Sequence, residues 1–432
     1  MRRQRSTSLV TALVLAVMLP ACTAGRRGVG PTDPAPTSAI AAERPEDTLL
    51  VSAEDGLWAV TGSGERRPIA GVQPAALVAQ LSDGEAVLYR FRWEDGNVPT
   101  TVLEAERMPS GEPVVSHRLE GRFNPIAATG DRGVYLAKTV GGSANDPPER
   151  VELWALDPGT GRLRGPARGG WEKGPHAGFG VPWQIVVAPD GRRLYALYLN
   201  LGVRRLEGPD AKVFVRRIDL DALAIGPDLP LPVPEDLQSD EGLMVYSIAL
   251  SPDGRKLYAA SGGLRQLAVI DTAAWNLERT LAWAPAGDTR AARSASVRAG
   301  LSVLAEVARR LGLAASVAEA KRALFPGVAM APDGSVLYVV AFREGRSGLL
   351  QGDGLWAIDP ATGQVRAQWL AGKEVFSVAA GTDGRFVYAV AQDGLSPQAE
   401  RRLLAVDTRT GQAVDLWPDA TARPWRIETV LP

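Results

Sequence analysis

Apolar residues in this chain come in short runs, each broken by a polar turn, and one phrase returns along most of its length. The clearest copies are Val187-Ala188-Pro189-Asp190-Gly191 running into Leu194-Tyr195, and Leu250-Ser251-Pro252-Asp253-Gly254 running into Leu257-Tyr258. Two more are Met330-Ala331-Pro332-Asp333-Gly334 before Leu337-Tyr338, and Ala380-Gly381-Thr382-Asp383-Gly384 before Val387-Tyr388. Looser copies are Leu81-Ser82-Asp83-Gly84 and Thr129-Gly130-Asp131-Arg132-Gly133. Asp-Gly supplies the left-handed position that a tight hairpin needs, and apolar β-formers flank it on both sides. A second unit follows the first: Leu267 to Ile270 then Asp271-Thr272, Leu355 to Ile358 then Asp359 to Gly363, Leu403 to Val406 then Asp407 to Gly411. Two hairpins per repeat predict a four-stranded antiparallel sheet. Such sheets cannot cover their own faces, so a row of them closes radially.

The period of about 40–45 residues is that of one propeller blade. The spacing predicts blades at 75–120, 123–165, 183–226, 246–281, 327–370 and 376–416. The ends are left over. Thr48 to Ala70 reads as the later strands of a blade, and Arg426 to Leu431 as one strand without a partner. Joined, they make a seventh blade and leave no unpaired sheet edge. The expectation is an all-β, seven-bladed β-propeller over residues 48–432, with a helical hairpin inserted at 285–326. The recurring "SPDGxxLY…VIDTxTG" phrase resembles the YVTN family of β-propellers and the wider quinoprotein amine dehydrogenase-like superfamily. That resemblance implies the fold. It implies no function, because the shared motifs are turn chemistry.

The strands of a blade are lettered A to D from the axis outward. Their direction alternates, so A–B and C–D turns share one end and B–C and D–A connections share the other. The short turns fall at the first end. The insertions Thr139–Arg150, Asn200–Lys212, Phe342–Asp353 and Gln392–Arg402 are B–C, and Pro166–Pro182, Pro227–Gly242 and Ala284–Gly327 are D–A. Lengthening a loop costs only about 0.6 kcal/mol per doubling at either end. Their gathering at one end marks it as the candidate recognition face. In the largest insertion Val297, Leu301, Leu304, Ala308 and Leu311 recur at helical spacing, Gly312 ends that helix, and Ser316 to Glu319 reads as a capping box for a second.

The N-terminus adds a destination. Met1-Arg2-Arg3-Gln4-Arg5, an apolar run from Leu9 to Leu19 and Ala21-Cys22 have the layout of a signal peptide over 1–21. Leu19-Pro20-Ala21-Cys22 resembles the lipobox of bacterial lipoproteins, with Pro20 a departure at its second position. The resemblance implies lipidation of Cys22, the sole cysteine, and a lipid-anchored, extracytoplasmic protein of the bacterial cell envelope. Residues 22–47, rich in Gly, Pro, Ser and Thr, read as a flexible tether. Net charge is −1, and −4 once residues 1–21 and their three arginines are removed, so nothing favours nucleic acid as a partner.

Candidate chemistry is sparse. The only histidines are His117, expected on an outer strand facing solvent, and His176. The latter lies in a D–A loop with Trp171 and Trp183, a candidate aromatic platform. Arg204, Arg205, Arg343 and Arg346 lie on B–C loops, with Arg401-Arg402 at the edge of another, and would hold a carboxylate or phosphate if they converge. No metal-spaced His pair, HExxH, CxxC, calcium loop or GxSxG is present, so no metal site or catalytic residue is assigned. Ala357 to Gly363 with Trp369, and Ala155 to Gly161, look like the tryptophan-docking repeats of pyrroloquinoline quinone dehydrogenases. The Trp is misplaced in one and missing in the other, so no quinone or other cofactor is expected. The leading expectation is a binding or scaffold protein that recognises a protein or small ligand on the loop-rich face. The alternative is a lactonase-type or quinoprotein-type enzyme with its site at the channel mouth.

Overall fold

The turn phrases fold as their chemistry demands. In the computed structural model Gly191, Gly254, Gly334 and Gly384 have φ between 64° and 73°. Each donates its N–H to the residue three before it, Ala188, Ser251, Ala331 or Gly381, at 2.8–3.1 Å. The preceding aspartate Oδ1 accepts the N–H of the residue after the glycine, at 2.8–3.0 Å. The C–D turns are built alike. Asp157, Asp271, Asp359 and Asp407 each accept two backbone N–H groups, two and three residues on. The fifth position then takes a positive φ, at Gly161, Trp275, Gly363 and Gly411.

The structure describes residues 45–71, 75–80, 85–96, 98–108, 110–130, 132–140, 150–167, 171–172, 184–199, 213–232, 246–283, 327–344, 350–394, 399–418 and 422–431. All belong to one unit, Glu43–Pro432. Blade 7 begins with β1 (Thr48–Ala53), β2 (Gly56–Thr61) and β3 (Arg66–Gly71). Blade 1 is β4 (Ala75–Gln80), β5 (Ala86–Glu94), β6 (Thr100–Met108) and β7 (Pro113–Glu120). Blade 2 is β8 (Phe123–Thr129), β9 (Gly133–Val140), β10 (Arg150–Leu156) and β11 (Leu163–Arg164), with β12 (Trp171–Glu172) also paired to β10. Blade 3 is β13 (Gln184–Val187), β14 (Arg193–Leu199), β15 (Val213–Asp219) and β16 (Ala224–Pro230). Blade 4 is β17 (Tyr246–Leu250), β18 (Lys256–Ser261), β19 (Gln266–Asp271) and β20 (Asn276–Ala282). Blade 5 is β21 (Val328–Met330), β22 (Leu337–Glu344), β23 (Leu350–Ile358) and β24 (Val365–Trp369). Blade 6 is β25 (Lys373–Ala380), β26 (Phe386–Asp393), β27 (Arg401–Asp407) and β28 (Ala413–Asp415). The last strand, β29 (Pro424–Leu431), pairs antiparallel with β1 and completes blade 7 as its A strand.

The protein is therefore a seven-bladed propeller of four-stranded antiparallel blades, and no helix occurs among the described residues. The expected helical insertion falls in 284–326, outside the described residues. Strand bounds put the long connections 141–149, 165–183, 200–212, 231–245 and 283–327 at one end. Blade 5 departs from expectation: β22 and β23 run on to Glu344 and Leu350, leaving only 345–349 between them. One Asp-Gly turn, Asp55-Gly56, is a B–C hairpin and so lies at the loop-rich end.

Both faces of every blade are covered. The buried apolar residues form seven clusters, one in each seam between neighbouring blades. Middle strands therefore read as unbroken apolar runs, as in Leu257-Tyr258-Ala259-Ala260, all buried. Each fully buried Leu or Val contributes about 1.5–3 kcal/mol. At the short-turn end a D-strand side chain docks on the C–D turn glycine of the next blade. His117 sits on Gly161, Leu281 on Gly363 and Trp369 on Gly411. His117 is thus half-buried rather than solvent-facing, its Nε2 2.7 Å from the Pro158 carbonyl.

Ring closure follows the same logic with one substitution. Pro189, Pro252 and Pro332 each nest against the turn glycine of the following blade, Gly254, Gly334 or Gly384. Blade 7 has no A–B turn, because its A and B strands are the two ends of the chain. Asp47, 5% exposed, occupies that place. Its carboxylate accepts hydrogen bonds from Tyr388 Oη at 2.6 Å and from Thr382 Oγ1, with the Thr382 N–H at 3.4 Å. Thr382 stands where the sister turns have proline, which has neither hydroxyl nor N–H to donate. Burial and the adjacent Asp47 carboxylate push the Tyr388 phenol well above its ordinary pKa. Asp47→Ala is expected to lower the unfolding free energy by about 2 kcal/mol, the scale of a buried charge-assisted hydrogen bond. Thr382→Pro, which restores the sister residue, should also destabilise. Urea denaturation checks both, and a neutral Thr382→Pro would show that the latch holds nothing.

Candidate functional site

Apart from Asp47 at the ring closure, several charged and polar side chains buried between blades gather at the loop-rich end. Long strands bring them there. β23 bulges at Gly352-Asp353-Gly354, where Gly354 has φ 82°, and this turns Asp353 inward. Asp353 is 8% exposed and accepts from Arg265 Nη2 of blade 4 at 3.2 Å. Its backbone carbonyl accepts Trp356 Nε1 at 3.0 Å and Gln368 Nε2 at 2.9 Å. The Arg265 guanidinium lies 5.1 Å above the Trp356 ring. Arg343 Nε stands 4.0 Å from the other Asp353 oxygen, with its side chain 54% exposed.

A buried acid lies next along the ring. Glu374, at the start of β25, is 2% exposed, and its Oε1 accepts the Gly352 N–H at 2.5 Å. Burial holds its carboxyl above the usual glutamate pKa, partly offset by that hydrogen bond. In register beside it is Gln392 of β26, also buried. Gln392 Nε2 donates to the Gly394 carbonyl at 2.7 Å, and its Oε1 accepts Arg401 Nε at 3.1 Å.

Arg401, the first residue of β27, reaches inward across Gln392 to the innermost strands. Its guanidinium carbon is 3.7 Å from the ring centroid of Trp425 on β29 and 4.8 Å from that of Phe376 on β25. Nη1 is buried and has no hydrogen-bond partner. Arg401 forms no ion pair among the described residues, although Glu54 and Arg423 both act on it through space. Burial lowers its pKa below the ordinary arginine value, Glu54 raises it and Arg423 lowers it. A half-buried cation without a counter-ion is costly, and two aromatic faces offset only part of that cost, about 0.5–2 kcal/mol each. The arrangement is one that a carboxylate from outside would complete.

The residues expected from the sequence meet this picture in part. Arg343 is at the loop-rich end, leaning on Asp353. Trp171 opens β12, opposite Val151. His176, Trp183, Arg204, Arg205, Arg346 and Cys22 lie outside the described residues. The pattern of the chain marked Arg401 as a loop-edge cation but gave no sign of Trp425, Phe376, Gln392, Glu374 or Asp353. The one available signal was Lys373-Glu374, charged residues opening an innermost strand where sister blades open on uncharged side chains. Among the described residues no group of three or more His, Cys, Asp or Glu is placed to hold a metal ion. A cleft of about 420 Å³ lies at the opposite, short-turn end, between blades 5 and 6.

Neither a family model nor a curated protein matches the chain. Solved structures do. The periplasmic gluconolactonase of Pseudomonas aeruginosa is 16% identical over 89% of this chain and 99% of its own, at a TM-score of 0.49. A proposed 6-phosphogluconolactonase from Bacteroides uniformis gives the same identity, coverage and TM-score. Hydrazine synthase of Kuenenia stuttgartiensis is 12% identical over 88% of this chain and 97% of its own, at 0.42. At these values the likenesses carry no argument about activity.

Proposed function

We propose that this protein is an exported, lipid-anchored binding propeller of YVTN type, which recognises a carboxylate-bearing ligand or partner at its loop-rich end. The observation that carries the reading is Arg401, clamped between Trp425 and Phe376, with one N–H unpartnered and no ion pair among the described residues. The rigid blades fix the cation. Benzoate is the simplest probe, pairing its carboxylate with the guanidinium and its ring with Trp425. Calorimetry should show saturable binding that weakens at least tenfold in Arg401→Gln and is missing with benzamide. Equal binding of benzamide, or no loss in Arg401→Gln, would overturn the reading.

A second reading is favoured by Glu374. A buried carboxyl with a raised pKa is the equipment of a general acid or base. The lactone hydrolysis named by two structural neighbours would use such a group to activate water. Acid release from glucono-1,5-lactone in a pH-stat tests this directly. The enzyme reading requires release above the spontaneous rate and its loss in Glu374→Gln, and it fails if the wild-type protein leaves the spontaneous rate unchanged.

The anchor is tested separately. In a bacterial host fed an alkyne-tagged palmitate, the wild-type protein is expected to take up label and partition with membranes, and Cys22→Ser to do neither. Label retained in Cys22→Ser would remove Cys22 as the lipidation site.

A further inference from the structure

The blades are repeats, so each seam serves as a control for the others. Tyr195, Tyr258 and Tyr338 are the same B-strand position in blades 3, 4 and 5, opposite Arg217, Val269 and Ala357 in register. At the short-turn end the space beside each tyrosine is open to the next blade, and two of the three seams fill it. Between blades 3 and 4, Trp275 stacks on Tyr195 at 5.7 Å and donates Nε1 to the Pro227 carbonyl at 3.0 Å. Arg217 lies over Trp275 at 5.3 Å. Between blades 4 and 5, Arg279 crosses the seam and donates to the Ala361 carbonyl at 3.3 Å.

Between blades 5 and 6 every filling position is small. Gly411 stands in place of Trp275, Ala357 in place of Arg217, and Ala367 in place of Arg279. The result is the cleft of about 420 Å³, within the range of small-molecule sites. Tyr338 and Trp369, 6.1 Å apart and tilted by 43°, form its aromatic wall, and among the described residues the Tyr338 hydroxyl carries no hydrogen bond. Asp333 and Asp383 stand at its rim. Each is held by its own turn, Asp333 by Ser335 and Asp383 by the Arg385 N–H at 2.8 Å, and neither has a cation within ion-pairing distance among the described residues. The one lining cation, Arg366, is neutralised by Asp359 at 2.5 Å. Two carboxylates over an aromatic wall, against one lining cation that Asp333 shares with Asp359, fit a positive charge joined to a flat apolar body.

We propose that the cleft between blades 5 and 6 binds a small aryl-bearing organic cation, its ring against Trp369 and Tyr338 and its ammonium between Asp333 and Asp383. This site is on the end opposite Arg401 and does not depend on the reading given above. The test titrates 2-phenylethylamine into the full-length protein by calorimetry, with 3-phenylpropionate as an anion of similar size. The amine is expected to bind saturably and the carboxylate at least tenfold more weakly. Ala367→Arg installs the side chain with which blade 4 closes its own seam, and should weaken amine binding at least tenfold. Asp333→Asn with Asp383→Asn keeps the turns and the cleft but removes the charge, and should do the same should Ala367→Arg fail to fold. Arg401→Gln should leave amine binding unchanged. No saturable amine binding, equal affinity for the carboxylate, or full binding by a folded Ala367→Arg protein would overturn the proposal.

Discussion

Everything in this fold depends on one constraint: no blade can cover its own two faces. Each four-stranded sheet needs a neighbour on both sides, so the row must close. Closure brings together the two parts of the chain that are furthest apart in sequence, β29 and β1, through a full antiparallel ladder from Ala53↔Pro424 to Thr48↔Leu431. The seam on either side of blade 7 is then packed like the rest, Tyr388 and Trp417 against Leu49 and Val51 on one side, Leu50 and Leu57 against Leu88 on the other. Asp47 finishes the seal by replacing a missing turn with a carboxylate. A turn would need the chain to be continuous there, whereas a carboxylate needs only donors, and Thr382 and Tyr388 supply them.

This explains which parts could be read from the sequence. Asp-Gly and Asp-x-Thr-Gly turns are local, and each carries its own hydrogen bonds, so the blade limits followed from the pattern to within a few residues. The half-blades at the two ends implied the closure. Contacts between strands were not legible. Asp47 looks like any polar residue before a strand until Thr382, 335 positions away, is placed beside it. Thr382 read as one more copy of the turn phrase, yet its departure from proline is what closes the ring. Arg401 was visible as a cation, but Trp425 and Phe376 come from two other strands and nothing in their own neighbourhoods announces a clamp. His117 was misread for the same reason: alternation placed it on an outer strand, and the neighbouring blade's turn then covered it.

The two ends of the propeller use carboxylates in opposite ways. At the short-turn end Asp157, Asp271, Asp359 and Asp407 are held by backbone N–H groups of their own turns. Their pKa values are low, Asp157 held down by Thr160, Asp271 near 2 through the Ala274 N–H and Lys256, Asp359 through Arg366, and Asp407, against its burial, through the Thr410 and Arg409 N–H groups. These groups are ionised and spent on local structure. At the loop-rich end Asp353 and Glu374 are bonded from neighbouring blades, and the Glu374 carboxyl is raised by burial. Groups held across seams are set by the assembled ring, not by a turn, and they sit where the chain has its long connections. With Asp47 as its exception at the ring closure, that division supports the recognition proposed for the loop-rich end.

The repeat limits how far that division can be pressed. Turn chemistry fixes the backbone of the short-turn end, yet leaves each seam's filling to the side chains that face it. Blade 4 closes its seams with Trp275 and Arg279, the ring closure uses Asp47, and between blades 5 and 6 Trp369 docks on Gly411 but leaves a cleft beside it. The cavity in this seam is lined by the rings of Tyr338 and Trp369. The same backbone with Arg at 367 would bury that surface at no cost in turn geometry, since Arg279 does so one blade earlier. Openness at this seam is therefore a property of three small residues, Ala357, Ala367 and Gly411, and not of the fold.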